Sequence, residues 1–323
     1  MRKFSFARRS FVGALAVSAA LLAPVPDAAA QTRLRVNYIP IFDVTSLFVA
    51  IDRGFFAEEG LTIEPTPSGS GAAGIPGLMS GGYDIMFGNV ISTFLAQQQG
   101  FDLRIIAPGV KLVPAEPEGS GLIARKADGI KTGRDLEGKT VAVNARNGVL
   151  WLYARAWVKK TGGNPDKVSF KEVAFPQMLD ALRGKQLDAI FTVEPFFTNA
   201  LNDTSLALVE RPYRAVQPQL EAGQYLTTAA FLEKNPEIVA RFGRAIIKGV
   251  EWFNQNKTSP DAHRIIAGFT RMDPAVVAKQ TLRTMPTQVD LAELSKTMGL
   301  MKEHGLLKSD VDVKAMVAPS IVK

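Results

Sequence analysis

Short apolar runs and helical stretches alternate along this chain in an order that recurs. Residues 34–38 form an apolar strand, and residues 46–53 have helical spacing. Gly60 stops that helix, and residues 61–63 make a second strand. A Gly/Ser loop then leads to a helix over 72–80 and a strand over 83–87. From residue 140 the order repeats: strand 140–143, helix 149–160 ended by Gly162-Gly163, strand 168–170, helix 177–182, strand 187–191. Locally, Leu78, Gly81, Asp84, Ile85 and Phe87 match Leu182, Gly184, Asp188, Ala189 and Phe191. The copies lie roughly a hundred residues apart.

Each copy reads as a βαβαβ unit, which buries its strands as a parallel sheet between helices. Two units predict two α/β lobes. Past residue 232 the spacing becomes helical, over 236–256, 260–268, 274–282, 290–304 and 309–317. Pro236, Pro260 and Pro274 stand at helix starts. Strand-like runs at 122–124 and 224–231 are taken as the connections between lobes. Lobe 1 is then discontinuous, 31–125 and 226–323, with lobe 2 inserted as 126–225.

Residues 1–30 read as an export signal. Arg2, Lys3, Arg8 and Arg9 make a basic start, and residues 11–23 are an apolar run too short to span a bilayer, which takes about 20 residues. Ala28-Ala29-Ala30 suits a signal peptidase, so Gln31 is expected to begin the mature protein. Arg8-Arg9-Ser10-Phe11-Val12 resembles a twin-arginine signal. The expected location is the periplasm.

Charge and composition narrow the chemistry. The chain carries 38 Lys+Arg and 31 Asp+Glu, and without residues 1–30 the counts are 34 and 30. So mild a surplus, with no basic cluster, points away from nucleic acid. There is no cysteine, which excludes disulfides, thiol nucleophiles and cysteine-held metals. The two histidines, His263 and His304, stand apart, so neither a metal site nor a cofactor is expected.

In open parallel sheets ligands bind beyond the carboxyl ends of the strands. Five loops qualify: 39–46, 68–71, 88–89, 144–148 and 192–195. From them Phe42, Thr45, Ser68, Gly69, Ser70, Asn89, Asn147, Gly148, Thr192 and Glu194 are the candidate ligand contacts. Ser68–Gly71 precedes a helix whose start offers free amides to an anion, though such a turn is more often only a turn. Thr45 and Ser46 suit helix capping equally well. Asn89 shows no capping duty, which favours a ligand role. Arg146 suits an anion or a solvated surface. Glu194 suits a donor group on the ligand or an interlobe ion pair. Phe42, Trp151 and Tyr225 could wall a cleft or pack in a core. Both histidines lie in the helical tail and no Gly-x-Ser-x-Gly elbow appears, so binding without turnover is the expectation.

Four stretches carry a family likeness: residues 51–61 (IDRGFFAEEGL), 82–84, 130–143 (with DLEGKTVAV) and Val193-Glu194-Pro195. Together with the duplicated units they resemble the periplasmic solute-binding proteins of ABC importers, in the nitrate/sulfonate/taurine class that also includes binders of thiamine-pyrimidine precursors. The resemblance implies a type II periplasmic-binding-protein fold. Two lobes, each a mostly parallel sheet flanked by helices, close on a small polar anion or zwitterion, with a helical C-terminal tail. It implies a monomer that delivers its ligand to a membrane permease driven by a cytoplasmic ATPase. A heteroaromatic ligand and a sensor subunit are the alternatives. Relatives often carry an aromatic before the acidic residue and Pro; Val193 stands there instead. The synthase relatives of this scaffold rely on cysteine, which this chain lacks.

Overall fold

The computed structural model describes Met1 and residues 31–321. The expected export signal falls on residues 2–30 and, Met1 apart, lies outside the described residues. Two five-stranded sheets organise the rest. The first contains β1 (Thr32–Tyr38), β2 (Leu61–Pro67), β3 (Ile85–Asn89), β4 (Leu103–Leu112) and β10 (Leu220–Thr228). The second contains β5 (Ser120–Arg125), β6 (Thr140–Val143), β7 (Ser169–Glu172), β8 (Ala189–Val193) and β9 (Leu206–Glu210). Their strand orders are β2-β1-β3-β10-β4 and β7-β6-β8-β5-β9. In the first, β1 pairs in parallel with β2 and β3, while β10 runs antiparallel to β3 and β4. In the second, β6 pairs in parallel with β7 and β8, while β5 runs antiparallel to β8 and β9. Each sheet is therefore mixed but mostly parallel, flanked by helices, with a helical C-terminal region. This is the two-lobed fold of periplasmic binding proteins.

The reversed strands are the two stretches read as connections. The chain reaches β5 through residues 113–119 and returns to β10 through 211–219, so β5 belongs wholly to the second sheet and β10 to the first. Both crossings thus precede the expected boundaries near 125 and 225.

The repeat seen in sequence has an atomic counterpart. The Asp84 carboxylate accepts from Arg35 N–H at 2.8 Å, and the Asp188 carboxylate accepts from Thr140 N–H at 2.7 Å. Each aspartate thereby ties the entry of one strand to its neighbour, at mid-strand in β1 and at the first residue of β6. Because these residues serve as side-chain clasps, β3 and β8 begin one residue after them, later than the expected 83 and 187.

Core packing follows the burial pattern. All five residues of β8 are buried, as a parallel strand covered on both faces requires. Tyr225 packs edge-on against Phe87 and Phe242 at centroid distances of 5.3 and 5.6 Å. Tyr213 packs against Tyr153 and Phe191 at 5.2 and 5.0 Å. Burying each such ring contributes about 1.5–3 kcal/mol.

Two expected tail helices are shorter than their spacing suggests. The one expected over 274–282 is Pro274–Val277. Beyond it come β-branched Thr281 and Thr284, and Pro286 disfavours helical backbone at Met285. The one expected over 309–317 is Val313–Met316, because the Asp312 side chain caps it by accepting from Ala315 N–H. The long helix Pro236–Asn256 matches the expectation.

Candidate functional site

The carboxyl tips of β1, β2 and β3 face those of β6 and β8 across a narrow crevice. Phe42 N–H donates to the Glu194 carbonyl at 3.3 Å, and Asn144 Nδ2 donates to the Gly69 carbonyl at 3.4 Å. Loops of the two sheets therefore touch. Between them lies a cavity of about 40 Å³. The first sheet contributes Ile39, Ile41, Asp43, Phe87 and Asn89; the second contributes Ser120, Asn144, Val149, Leu150, Phe175 and Val193. Arg283 enters from the tail segment beyond Val277. A pocket of about 20 Å³, sharing Asp43 and Arg283, is bordered by Phe42, Thr45, Gly119 and Glu194. An open mouth of about 280 Å³, sharing Ile39 and Phe175, is bordered by Ser68 and Gly69.

Local chemistry explains the polar positions. Asn89 is the N-cap of the Val90–Gln98 helix: its Oδ1 accepts from Ser92 N–H at 3.0 Å, and its Nδ2 donates to Ser92 Oγ at 3.0 Å. This corrects the reading that Asn89 has no capping duty, although it still lines the cavity. Ser70 caps the Gly71–Met79 helix by accepting from Ala73 N–H at 3.2 Å. Ser68 Oγ donates to Asn37 Oδ1 at 2.9 Å. Thr45 Oγ1 donates to the Phe42 carbonyl at 2.7 Å. No side chain caps the Val149–Lys160 helix at Gly148, so its first-turn amides, with the positive end of the helix dipole, are left for solvent or ligand.

The candidates divide accordingly. Asn89 lines the inner cavity; Phe42, Thr45 and Glu194 line the smaller pocket; Ser68 and Gly69 line the mouth. Ser70 and Gly148 act one step back, as helix starts. Asn147 is exposed, in left-handed backbone at φ 56°. Thr192 is buried with its hydroxyl unpartnered, and it borders none of these spaces. Arg146 is exposed, its N–H held by Glu172. Trp151 and Tyr225 are buried in the two cores.

Charge concentrates where the crevice meets the crossings. Arg283 pairs with Asp43, both side chains mostly buried. Arg211 donates to the backbone carbonyls of Glu118 and Ser120, and Arg214 lies 3.6 Å from the Glu118 carboxylate. Burial raises the Glu118 carboxyl above its ordinary range, and burial raises Glu194 to about 7. Of the three guanidinium groups, Arg283 lines the cavity, in its ion pair with Asp43, while Arg211 and Arg214 lie beside Glu118. Glycine is required at 119, since a Cβ there would meet Glu194 Cγ at 2.5 Å.

Arg283 was invisible in the sequence as a cleft residue, because its helical context was read through to 282 and its partner Asp43 lies 240 positions away. Val149 and Leu150 fall in the expected helix 149–160, and Phe175 in the stretch between the expected strand 168–170 and helix 177–182.

Known proteins share this fold. The chain is 24% identical over 238 residues to the formylaminopyrimidine-binding protein of Halalkalibacterium halodurans, covering 71% of this chain and 68% of that one. It is 23% identical over 265 residues to the bicarbonate-binding protein CmpA of Synechococcus elongatus, covering 73% of this chain and 57% of that one. The alkanesulfonate-binding protein SsuA from Xanthomonas axonopodis, solved with MOPS bound, superposes with a TM-score of 0.74 at 19% identity, covering 90% of this chain and 99% of that one. The NMT1/THI5-like family description matches residues 41–259, and by that match the chain belongs to the NMT1/THI5-like family.

Proposed function

We propose that this chain is the extracytoplasmic solute-binding subunit of an ABC importer. It captures a small organic anion or zwitterion between two closing lobes, one on each sheet, and hands it to a membrane permease served by a cytoplasmic ATPase. The observation that carries the reading is the cavity at the facing strand tips, where Arg283, Asn89 and the Val149–Lys160 helix start meet. The relatives named above are called binding proteins, which supports binding without turnover. Most of the wall is apolar, which favours an organic body over a bare inorganic anion such as nitrate. A ligand touching both sheets binds the closed arrangement better, and only that difference shifts an open–closed equilibrium.

A second reading is a heteroaromatic ligand of the pyrimidine-precursor kind. The relative that binds formylaminopyrimidine supports it, as does Asp43, a carboxylate on the cavity wall able to accept from a ring amine. In either reading the protein is a monomer, exported by the twin-arginine route with its signal removed near Ala30, and released into the periplasm.

Thermal-shift screening of the mature protein against sulfonates, carboxylates, nitrate, bicarbonate and aminopyrimidines tests the proposal, because a specific ligand stabilises by mass action. A saturable shift with ligand recovered unchanged is expected. Chemical conversion of the ligand would contradict it. Mass spectrometry of the exported form tests the mature start at Gln31.

A further inference from the structure

The crevice has two compartments of different chemistry. The inner one, about 40 Å³, carries Asp43, Asn89 and Arg283. The outer one, about 280 Å³, is walled by Pro40, Pro67, Phe175, Pro176 and Phe196, and Ser68 supplies its one polar side chain. Ile39 and Phe175 border both, so the two compartments adjoin. The inner compartment takes only a compact head, since a single water already needs about 10–15 Å³. The outer one exceeds the roughly 150 Å³ cavity known to hold a benzene molecule.

The outer walls are preorganised. Phe175 and Phe196 stack with centroids 5.6 Å apart and planes 11° apart. Proline has no side-chain rotamers to lose when a ligand arrives. Pro67 and Pro176 are nevertheless exposed, so apolar lips stand in water on either side of a cavity with a charged floor. A rigid apolar mouth next to a polar floor fits a molecule with one polar end.

We infer that the mouth is a tail subsite, and that the ligand carries an anionic head in the inner compartment and an aryl tail between the proline lips and the Phe175–Phe196 stack. This rests on the function proposed above and narrows its ligand class to aryl carboxylates or aryl sulfonates. The head is held by Arg283, Asn89 and the helix start; the tail sets the affinity and excludes small inorganic anions, which leave the mouth unfilled.

Isothermal titration with head-matched pairs tests this on the mature protein: acetate against 3-phenylpropionate, and methanesulfonate against benzenesulfonate. The aryl member of at least one pair is expected to bind roughly tenfold to hundredfold tighter, the gain of burying a ring's apolar area. Phe196→Ala is expected to erase most of that advantage while leaving the methyl member unchanged. Pro176→Asn, at an exposed first-turn position that tolerates polar residues, provides a second variant expected to fold and to reduce the advantage. Equal affinity within both pairs, or an aryl advantage untouched by both variants, overturns the tail subsite while leaving the importer reading standing. Absence of binding by all four probes, with bicarbonate or nitrate bound instead, also overturns it. Absence of binding by every small molecule sinks both.

Discussion

Thr198 holds both oxygens of the Glu194 carboxylate: its hydroxyl donates to Oε1 at 2.6 Å and its N–H to Oε2 at 3.1 Å. Glu194 therefore locks the turn into the Phe196–Leu201 helix beside the crevice. Burial still dominates and lifts its carboxyl to about 7. A carboxyl raised in the folded state binds more protons there than in the unfolded chain. Its stabilising contribution is full below about 4.5 and is lost as pH rises through about 7. Glu221, also buried and raised to about 7, adds a slope of the same sign. Urea unfolding should show stability falling by about 1–3 kcal/mol per group between pH 5 and 8. Glu194→Gln should remove one share of that slope, and the double variant with Glu221→Gln should remove both. An unchanged slope in the double variant would refute the assignment.

Lys111 sits between two carboxylates, 2.9 Å from Asp290 and 3.7 Å from Glu221. Lys111→Met leaves the buried Glu221 without its cation. Because Glu221 then charges still less readily, the loss of stability should be greater at pH 8 than at pH 5, by about 1–3 kcal/mol. Chemical denaturation at the two pH values measures it.

Capping and ligand contact can be separated at Asn89. Asn89→Ala removes the cap of the Val90–Gln98 helix and should lower stability by about 1 kcal/mol. Asn89→Ser keeps a cap but retracts the amide from the cavity wall. It should unfold within about 0.5 kcal/mol of the parent yet bind ligand at least several-fold more weakly. Equal binding by the serine variant would confine Asn89 to a structural duty.

The tail is fastened to the crossing by a buried polar network. Tyr153 Oη donates to Gln217 Oε1 at 2.7 Å, Thr297 Oγ1 donates to the same oxygen at 3.2 Å, and Gln217 Nε2 donates to Glu293. Tyr153→Phe should cost about 1–3 kcal/mol, since it leaves a buried acceptor short of a partner. Lys159→Ala, which breaks the exposed pair with Glu303 at 3.0 Å, should cost under about 0.5 kcal/mol. Thermal unfolding of the two variants compares them directly.

Much of this architecture was legible because the duplicated units follow strict periodicities and carry the same clasp, Asp84 in one and Asp188 in the other. β4 was not legible. Its run contains Pro108-Gly109, which ordinarily argues against a strand. The proline is tolerated because β4 lies at the sheet edge, and the register with β10 shifts at Gly223 where the two backbones approach. The loops of the crevice were legible from topology alone, since strand tips must face one another once two parallel units share a chain. The identity of the contacting side chains was not. Whether Asn89 caps or contacts, and whether Arg283 reaches a loop 240 residues away, depends on packing that no local pattern encodes.

The central claim is that the two sheets close on a ligand held at their facing strand tips. The chain has no native cysteine, so Thr66→Cys and Lys171→Cys, exposed positions on β2 and β7 of the two sheets and outside the crevice lining, provide a unique pair of sites for spin labels. Pulsed electron–electron resonance on that doubly labelled protein, with and without a saturating ligand from the thermal-shift screen, is the most direct measurement. A broad distribution that collapses onto its shortest distance when ligand is added is the predicted result. A distribution unmoved by a ligand that demonstrably binds would contradict the account.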